Sequence, residues 1–198
     1  ILIVAALVAI IWVSAYGYTL EKVAYKPLRG APRLSPLISA IGMSIFLQNY
    51  VLLAQTSDFV PFPRLLPEME FLEYIDYIMG PSDFLILISS AAAMGALTLF
   101  IKKTRMGKAM RATAQNRKMA MLLGINTDRI ISLTFIIGSA LGALGGVLIA
   151  SHMGQVNFGI GFIAGMKAFT AAVLGGIGSI PGAMVGGLVL GLAESYTT

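Results

Sequence analysis

The chain has 198 residues, 57% of them hydrophobic and only 12% charged, about half the charged share of an ordinary soluble domain. It carries a formal net charge of +5 and no cysteine, which excludes disulfides and thiolate metal sites. The charges are clustered, leaving several uncharged runs near the length that crosses a hydrocarbon core of about 30 Å. A soluble all-α protein is excluded because its helices would each show a polar face, and these runs are apolar all round.

The chain opens at Ile1 inside an apolar run, with no Met, no basic segment and no small-residue cleavage site. That argues against a signal peptide, and together with the abrupt end at Thr198 it predicts an internal piece of a longer protein. Residues 1–20 form the first expected span. A basic loop, 21–33, holds Lys22, Lys26, Arg29 and Arg33. The second span is expected over 37–54. Segment 55–82 follows, with four prolines and with Asp58, Glu68, Glu70, Glu73 and Asp76 against the single Arg64. The third span is expected over 84–101. A second basic segment, 102–129, carries eight Lys and Arg against Asp128, and a fourth span is expected over 130–150. Basic residues number four, one and eight across the three connections. Cytoplasmic loops carry an excess of Lys and Arg, so 21–33 and 102–129 are expected on the cytoplasmic side and 55–82 on the outer side.

The C-terminal part differs. Stretches 162–174 and 183–193 are apolar, apart from Lys167, and each is too short to span alone. Between them lie Gly175, Gly176, Gly178, Pro181 and Gly182. Two readings stand: a re-entrant pair of broken helices beside a cavity, or two tilted spans joined by a tight Gly-Pro turn.

Three constellations are candidates for function. In the second basic segment Arg105, Lys108, Arg111, Gln115 and Lys118 recur at spacings of three and four, which on a helix makes one polar stripe. Met106, Met110, Met119, Met121, Leu122 and Leu123 add adaptable apolar surface. Gly124 is placed to close that helix, and Asn126, Thr127 or Asp128 to cap the next. Such a helix suits docking to another protein or lying on anionic headgroups. Within the spans, polar residues are few: Gln48 and Asn49 in the second, and Lys167 in a short apolar stretch. A charge at membrane depth is by default a functional hypothesis; the alternative for Lys167 is that it snorkels to the interface. Glu194 reads as interfacial. His152 has no neighbours that make it a metal ligand. Glycines four apart, at Gly138, Gly142 and Gly146, at Gly182 and Gly186, and at Gly187 and Gly191, predict close helix packing. The sequence has no phosphate-binding loop of the G-x-x-x-x-G-K-[ST] type, no metalloprotease or serine-hydrolase motif, and no carboxylate chain in a span. No enzyme activity is expected on this chain.

The run GFIAGMKAFTAAVLGGIGSIPG at 161–182 resembles the signature of branched-chain amino-acid ABC transporter permeases, as do MAMLLGINTDR at 119–129, AYKPLRG at 24–30 and IGMSIFLQNY at 41–50. The likeness covers nearly the whole chain and is least distinctive over 55–82. It implies an all-α, polytopic transmembrane helical bundle with a cytoplasmic coupling helix and short broken helices near the C-terminus. It implies a single permease domain in the bacterial inner membrane, lacking the first helices and the last one or two of longer family members. The implied partners are a second, related permease, two cytoplasmic ATPase subunits that hold ATP and Mg, and a periplasmic binding protein for leucine, isoleucine or valine. Membrane lipid is also expected, and nucleic acid is not. No cofactor is expected on the chain itself. Under this resemblance, Arg105, Lys108, Arg111, Gln115, Lys118 and Gly124 belong to the ATPase-docking helix, which lacks the Glu-Ala-Ala opening of many other ABC permeases. The acidic outer segment becomes the candidate contact for the binding protein. Gln48, Asn49, Lys167, Gly175, Gly176, Gly178 and Pro181 are candidates for the translocation path. Two rivals remain: the same superfamily with urea, short amides or a sugar as cargo, and a passive channel or structural membrane module.

Overall fold

The computed structural model describes residues 2–30, 35–54, 58–62, 81–176 and 178–197. Most of the acidic outer segment, including Glu68, Glu70, Glu73 and Asp76, lies outside the described residues. The described residues form eight α-helices in the order α1 (Leu2–Leu20), α2 (Ser35–Ala54), α3 (Pro81–Lys103), α4 (Arg105–Gln115), α5 (Arg117–Leu122), α6 (Thr127–Met153), α7 (Ile160–Leu174) and α8 (Ile180–Thr197). A π-helical turn, Glu21–Tyr25, and a 3-10 turn, Pro27–Gly30, follow α1, and two-residue strands lie at Val60–Pro61 and Gln155–Val156.

The long helices are apolar around their whole circumference, and their sequences explain why. Three stretches are long and apolar enough to cross a membrane: Val4–Tyr25, Phe84–Lys103 and Thr127–Met153. At 1.5 Å per residue the 27 residues of α6 extend about 40 Å, more than a hydrocarbon core of about 30 Å. Few of their residues are fully buried: 11%, 0% and 11% of the respective windows. In water such surface would be untenable. In lipid it is the solvated state, and the polar backbone is satisfied within each helix. The chain is a multi-pass helical membrane protein.

Two compact units emerge, residues 1–43 with 60–155 and residues 44–59 with 156–198, and α2 is divided between them. In the first unit α1 packs chiefly on α6, while α3, α4 and α5 also touch α6. The contact depends on small side chains. Gly17 is buried against Ser139, and Ala143 and Ala150 are buried on α6. Tyr25 packs against Phe135 in a tilted arrangement, with ring centroids 4.8 Å apart. Helix α6 ends at Gly154, whose φ of 68° suits a residue without Cβ.

In the second unit α7 and α8 form a helical hairpin. At 15 residues α7 extends about 22 Å, short of a full crossing. The turn between the helices uses Gly176 and Gly178 at φ of 90° and 99°, values that side-chain-bearing residues rarely adopt. Ser179 caps α8 by accepting from Gly182 N–H at 3.1 Å. Pro181 sits in the first turn, where its missing N–H costs nothing. The backbones approach so closely that a Cβ on Gly186 would overlap the carbonyl of Ala171, and one on Gly175 the carbonyl of Gly182.

Gly186→Ala should therefore destabilise the protein by about 1–3 kcal/mol, the range for overpacking a tight contact. Gly191→Ala, on the same helix with no atom near the added methyl, should stay within about 0.5 kcal/mol of the parent. Thermal unfolding of the two variants in detergent checks this; equal losses would contradict the packing described.

Candidate functional site

The second basic segment is the most structured polar part of the first unit. It is not one helix. The expected single stripe is interrupted at Asn116, which adopts φ −153° and ψ 103°. Asn116 ends α4 and caps α5, its side chain accepting from Met119 N–H at 3.1 Å. An Asn side chain competes with the helix for backbone donors, which favours caps over helix interiors. Lys118 is thereby placed on a different helix from Arg105, Lys108, Arg111 and Gln115. Gly124, at φ 79°, closes α5 in a Schellman motif: its N–H donates to Met121 C=O, and Ile125 N–H to Ala120 C=O, each at 3.0 Å. Asn126 caps α6, accepting from Arg129 N–H at 3.1 Å.

The corner between α3 and α4 is equally specific. Thr104 Oγ1 donates to Phe100 C=O at 2.7 Å and accepts from Gly107 N–H at 3.0 Å. Gly107 is buried where a Cβ would overlap the Ile101 backbone. The Arg111 guanidinium donates to Ile101 C=O at 2.5 Å. Carbonyls left open at the end of α3 are thus satisfied, with a cation at the negative end of the helix dipole. Arg111 is committed to this corner. Arg105, Lys108, Gln115 and Lys118 are exposed, as are Met106, Met119, Met121, Leu122 and Leu123, the last two at 82% and 78%.

Below this segment lies a charge network absent from the sequence reading. Glu21, which opens the expected basic loop 21–33, is fully buried, because the π-helical turn carries α1 onward and turns this side chain inward. Its carboxylate accepts from Arg29 and, at 2.7 Å, from the Ser132 hydroxyl on α6. Arg29 also pairs with Asp128 at the start of α6, and Asp128 with Arg117 on α5 at 3.1 Å. The network links the end of α1, the 3-10 turn, α6 and α5. The only local hint was a carboxylate immediately after an apolar run in an otherwise basic loop.

In the second unit Lys167 on α7 pairs with Glu194 on α8 at 2.5 Å. Both side chains are about half exposed, at 49% and 51%. Glu194, read as interfacial from the sequence, is the ion-pair partner of Lys167. Lys167 stands closer to the Gly-rich turn than Glu194 does, so sequence spacing does not announce the pair. Asn49 donates to Ile45 C=O within α2 at 2.8 Å. Gln48 Nε2 is buried with no hydrogen-bond partner among the described residues. Neither side chain is hydrogen-bonded to Lys167. Gly175, Gly176, Gly178 and Pro181 all build the α7–α8 turn. No group of three or more His, Asp or Glu capable of holding a metal occurs among the described residues.

Removing Arg29 leaves Glu21 as an uncompensated buried charge. Arg29→Met should cost about 3–5 kcal/mol of stability. The double variant Glu21→Leu/Arg29→Met should recover most of that loss, since an apolar pair of similar volume replaces the ion pair. Unfolding measurements on the parent and the two variants decide: a double variant no better than the single would refute the pairing.

Comparison with known proteins places this geometry in context. The chain matches, over residues 1–198, the family described as the permease component of the branched-chain amino acid transport system. It is 54% identical over 198 residues to the high-affinity branched-chain amino acid transport system permease protein BraD of Pseudomonas aeruginosa, covering 95% of this chain and 62% of that protein. It is 54% identical over 200 residues to LivH of Escherichia coli, a permease protein of the same description, covering 96% of this chain and 63% of LivH. A more distant relative, the autoinducer 2 import system permease protein LsrC of Yersinia enterocolitica, is 34% identical over 125 residues, 60% of this chain and 34% of LsrC. The chain therefore spans less than two thirds of the length of BraD and LivH. No solved structure matches it.

Proposed function

The chain belongs to the branched-chain amino acid transport permease family, and from that premise we propose that it forms part of the translocation path of an ATP-driven importer for branched-chain amino acids. The observation that carries the reading is the match along the whole chain to that family, joined by 54% identity to permeases named for this cargo. The basic connections lie on the inner face of the bacterial cytoplasmic membrane, as their excess of Lys and Arg favours.

The energy source lies on other chains. Two ATPase subunits carry ATP and Mg, a second related permease completes the path, and a periplasmic binding protein delivers the amino acid. Docking is assigned to α4 and α5. Arg105, Lys108 and Lys118 make no ion pair among the described residues. The exposed Met106, Met119, Met121, Leu122 and Leu123 offer the soft apolar surface that accommodates a moving partner.

Motion of the ATPases reaches the spans through two stiff junctions. The Thr104–Gly107–Arg111 corner connects α4 to α3. The Arg117–Asp128–Arg29–Glu21 chain connects α5 to α6 and to the end of α1. Displacing α4 and α5 then tilts the helices together, which suits alternating access. The α7–α8 hairpin, with Lys167, Glu194 and the turn at Gly175, Gly176, Gly178 and Pro181, is the candidate path element. Gln48 on α2, with its buried amide, is a further candidate.

Lys118→Glu combined with Leu122→Asp should weaken ATPase docking by about tenfold or more, the effect of losing roughly 1.4 kcal/mol. ATP-dependent leucine uptake into reconstituted vesicles should fall in parallel, while membrane insertion is retained. Unchanged uptake in that double variant would refute the docking assignment. Uptake of leucine without any ATPase subunit would refute the importer reading as a whole.

A further inference from the structure

A cavity of about 330 Å³ opens where the end of α1 meets the start of α6. It contains the buried network, yet its charges do not cancel. Glu21 is satisfied by Arg29 and Ser132, and Asp128 by Arg29 and Arg117. Lys22, Lys26 and Arg129 also line the cavity. They are exposed and have no carboxylate partner among the described residues. Lys22 Nζ lies 4.5 Å from the centroid of the Tyr18 ring, a weak cation-π contact that leaves its charge available. Nε of Arg29, buried and without a partner, adds an unused donor beside them.

The remaining lining is apolar and ordered along the helices. Tyr18 lies one turn before Lys22 on α1, and Leu133 and Ile136 lie one and two turns after Arg129 on α6. Both steps run away from the polar turns and into stretches long and apolar enough to cross a membrane. The cavity is therefore cationic toward the polar turns and apolar toward the membrane-spanning stretches, on both helices and in the same direction. A soluble anion has no use for the apolar half. An amphiphile with a phosphate head uses both.

We propose that this cavity is a binding site for an anionic glycerophospholipid, with the headgroup phosphate held by Lys22, Lys26 and Arg129 and the first part of an acyl chain lying over Tyr18, Leu133 and Ile136. Basic pockets between membrane helices select such headgroups, and each unpaired cation near a charged lipid surface contributes favourably. The bound lipid neutralises the three cations beside the Glu21–Arg29–Asp128 network and fastens α1 to α6 at that end. The site goes beyond the importer reading: it rests on the membrane location of α1 and α6 alone and stands or falls independently of cargo.

The test uses the full-length permease, purified in a neutral detergent, with the melting temperature followed as lipid is added. Phosphatidylglycerol should raise Tm by about 3–5 °C, whereas phosphatidylcholine and inorganic phosphate should not. The triple variant Lys22→Gln/Lys26→Gln/Arg129→Gln should lose most of that shift. The control Arg105→Gln/Lys108→Gln/Lys118→Gln should keep it. An equal shift in the cavity triple variant, an equal loss in the control, or the same shift with phosphatidylcholine would overturn the site. The same shift with inorganic phosphate would replace it with a soluble-anion site and so overturn the lipid assignment. If the triple variant does not fold, Lys26→Gln serves, because its ammonium makes no hydrogen bond or ion pair among the described residues. Native mass spectrometry of that variant should show fewer bound phosphatidylglycerol molecules than the parent, and undiminished occupancy would overturn the proposal.

Discussion

A buried carboxylate sets the terms for the first unit. Glu21 has no exposed surface, so its charge must be met by protein donors or not exist. Arg29 and the Ser132 hydroxyl meet it. Arg29 is then held in a position from which its guanidinium also reaches Asp128, and Asp128 holds Arg117. Two stretches of chain far apart in sequence, 21–29 and 117–132, are fixed to one another by one requirement. Buried ion pairs are poor evidence of net stability, because desolvation offsets most of their attraction. Their value here is registry: Glu21 and Arg29 fix the end of α1 to the start of α6, and the more exposed Arg117–Asp128 pair extends the tie to α5.

Elsewhere the fold follows from having lipid as the solvent. Apolar helices gain nothing from hiding Leu and Ile from other hydrocarbon, so contact is made by small side chains that let backbones approach. The buried apolar residues are Ala120, Ile130, Ala143, Ala150 and Ala171 among the described residues, and four of the five are alanine. Gly17 against Ser139 and Gly186 against Ala171 extend the same logic to the two units separately. The large side chains face outward, with Trp12 and Ile11 exposed at 65% and 69%. The inversion of the usual soluble pattern is the physical signature of a membrane bundle.

Much of this was legible in one dimension. Apolar length located the long helices, and local turn chemistry located Gly124 and Asn126 at the helix ends they occupy. The Asn116 break was legible in principle, since Asn competes for backbone donors, but a regular run of charges at helical spacing masked it. What could not be read was charge pairing across the fold. Arg29 and Asp128 are 99 residues apart, and Lys167 and Glu194 are 27 apart. A count of charges per loop treats every one as solvated. That approximation is enough to frame an expectation of sidedness, which depends on the sum, and fails for Glu21, whose surroundings depend on a π-helical turn that no propensity marks.

These features meet in one claim, that α4 and α5 form an inward-facing lever tied to the bundle by the corner at Gly107 and the network at Asp128. Because this chain has no cysteine, a single introduced thiol reports on it cleanly. The most direct measurement is labelling of a full-length permease carrying Leu122→Cys as its sole cysteine with a membrane-impermeant maleimide. The account predicts labelling in inside-out vesicles only, suppressed when the ATPase subunits are bound. Labelling from the outer face, or labelling that bound ATPase subunits leave unchanged, would contradict it.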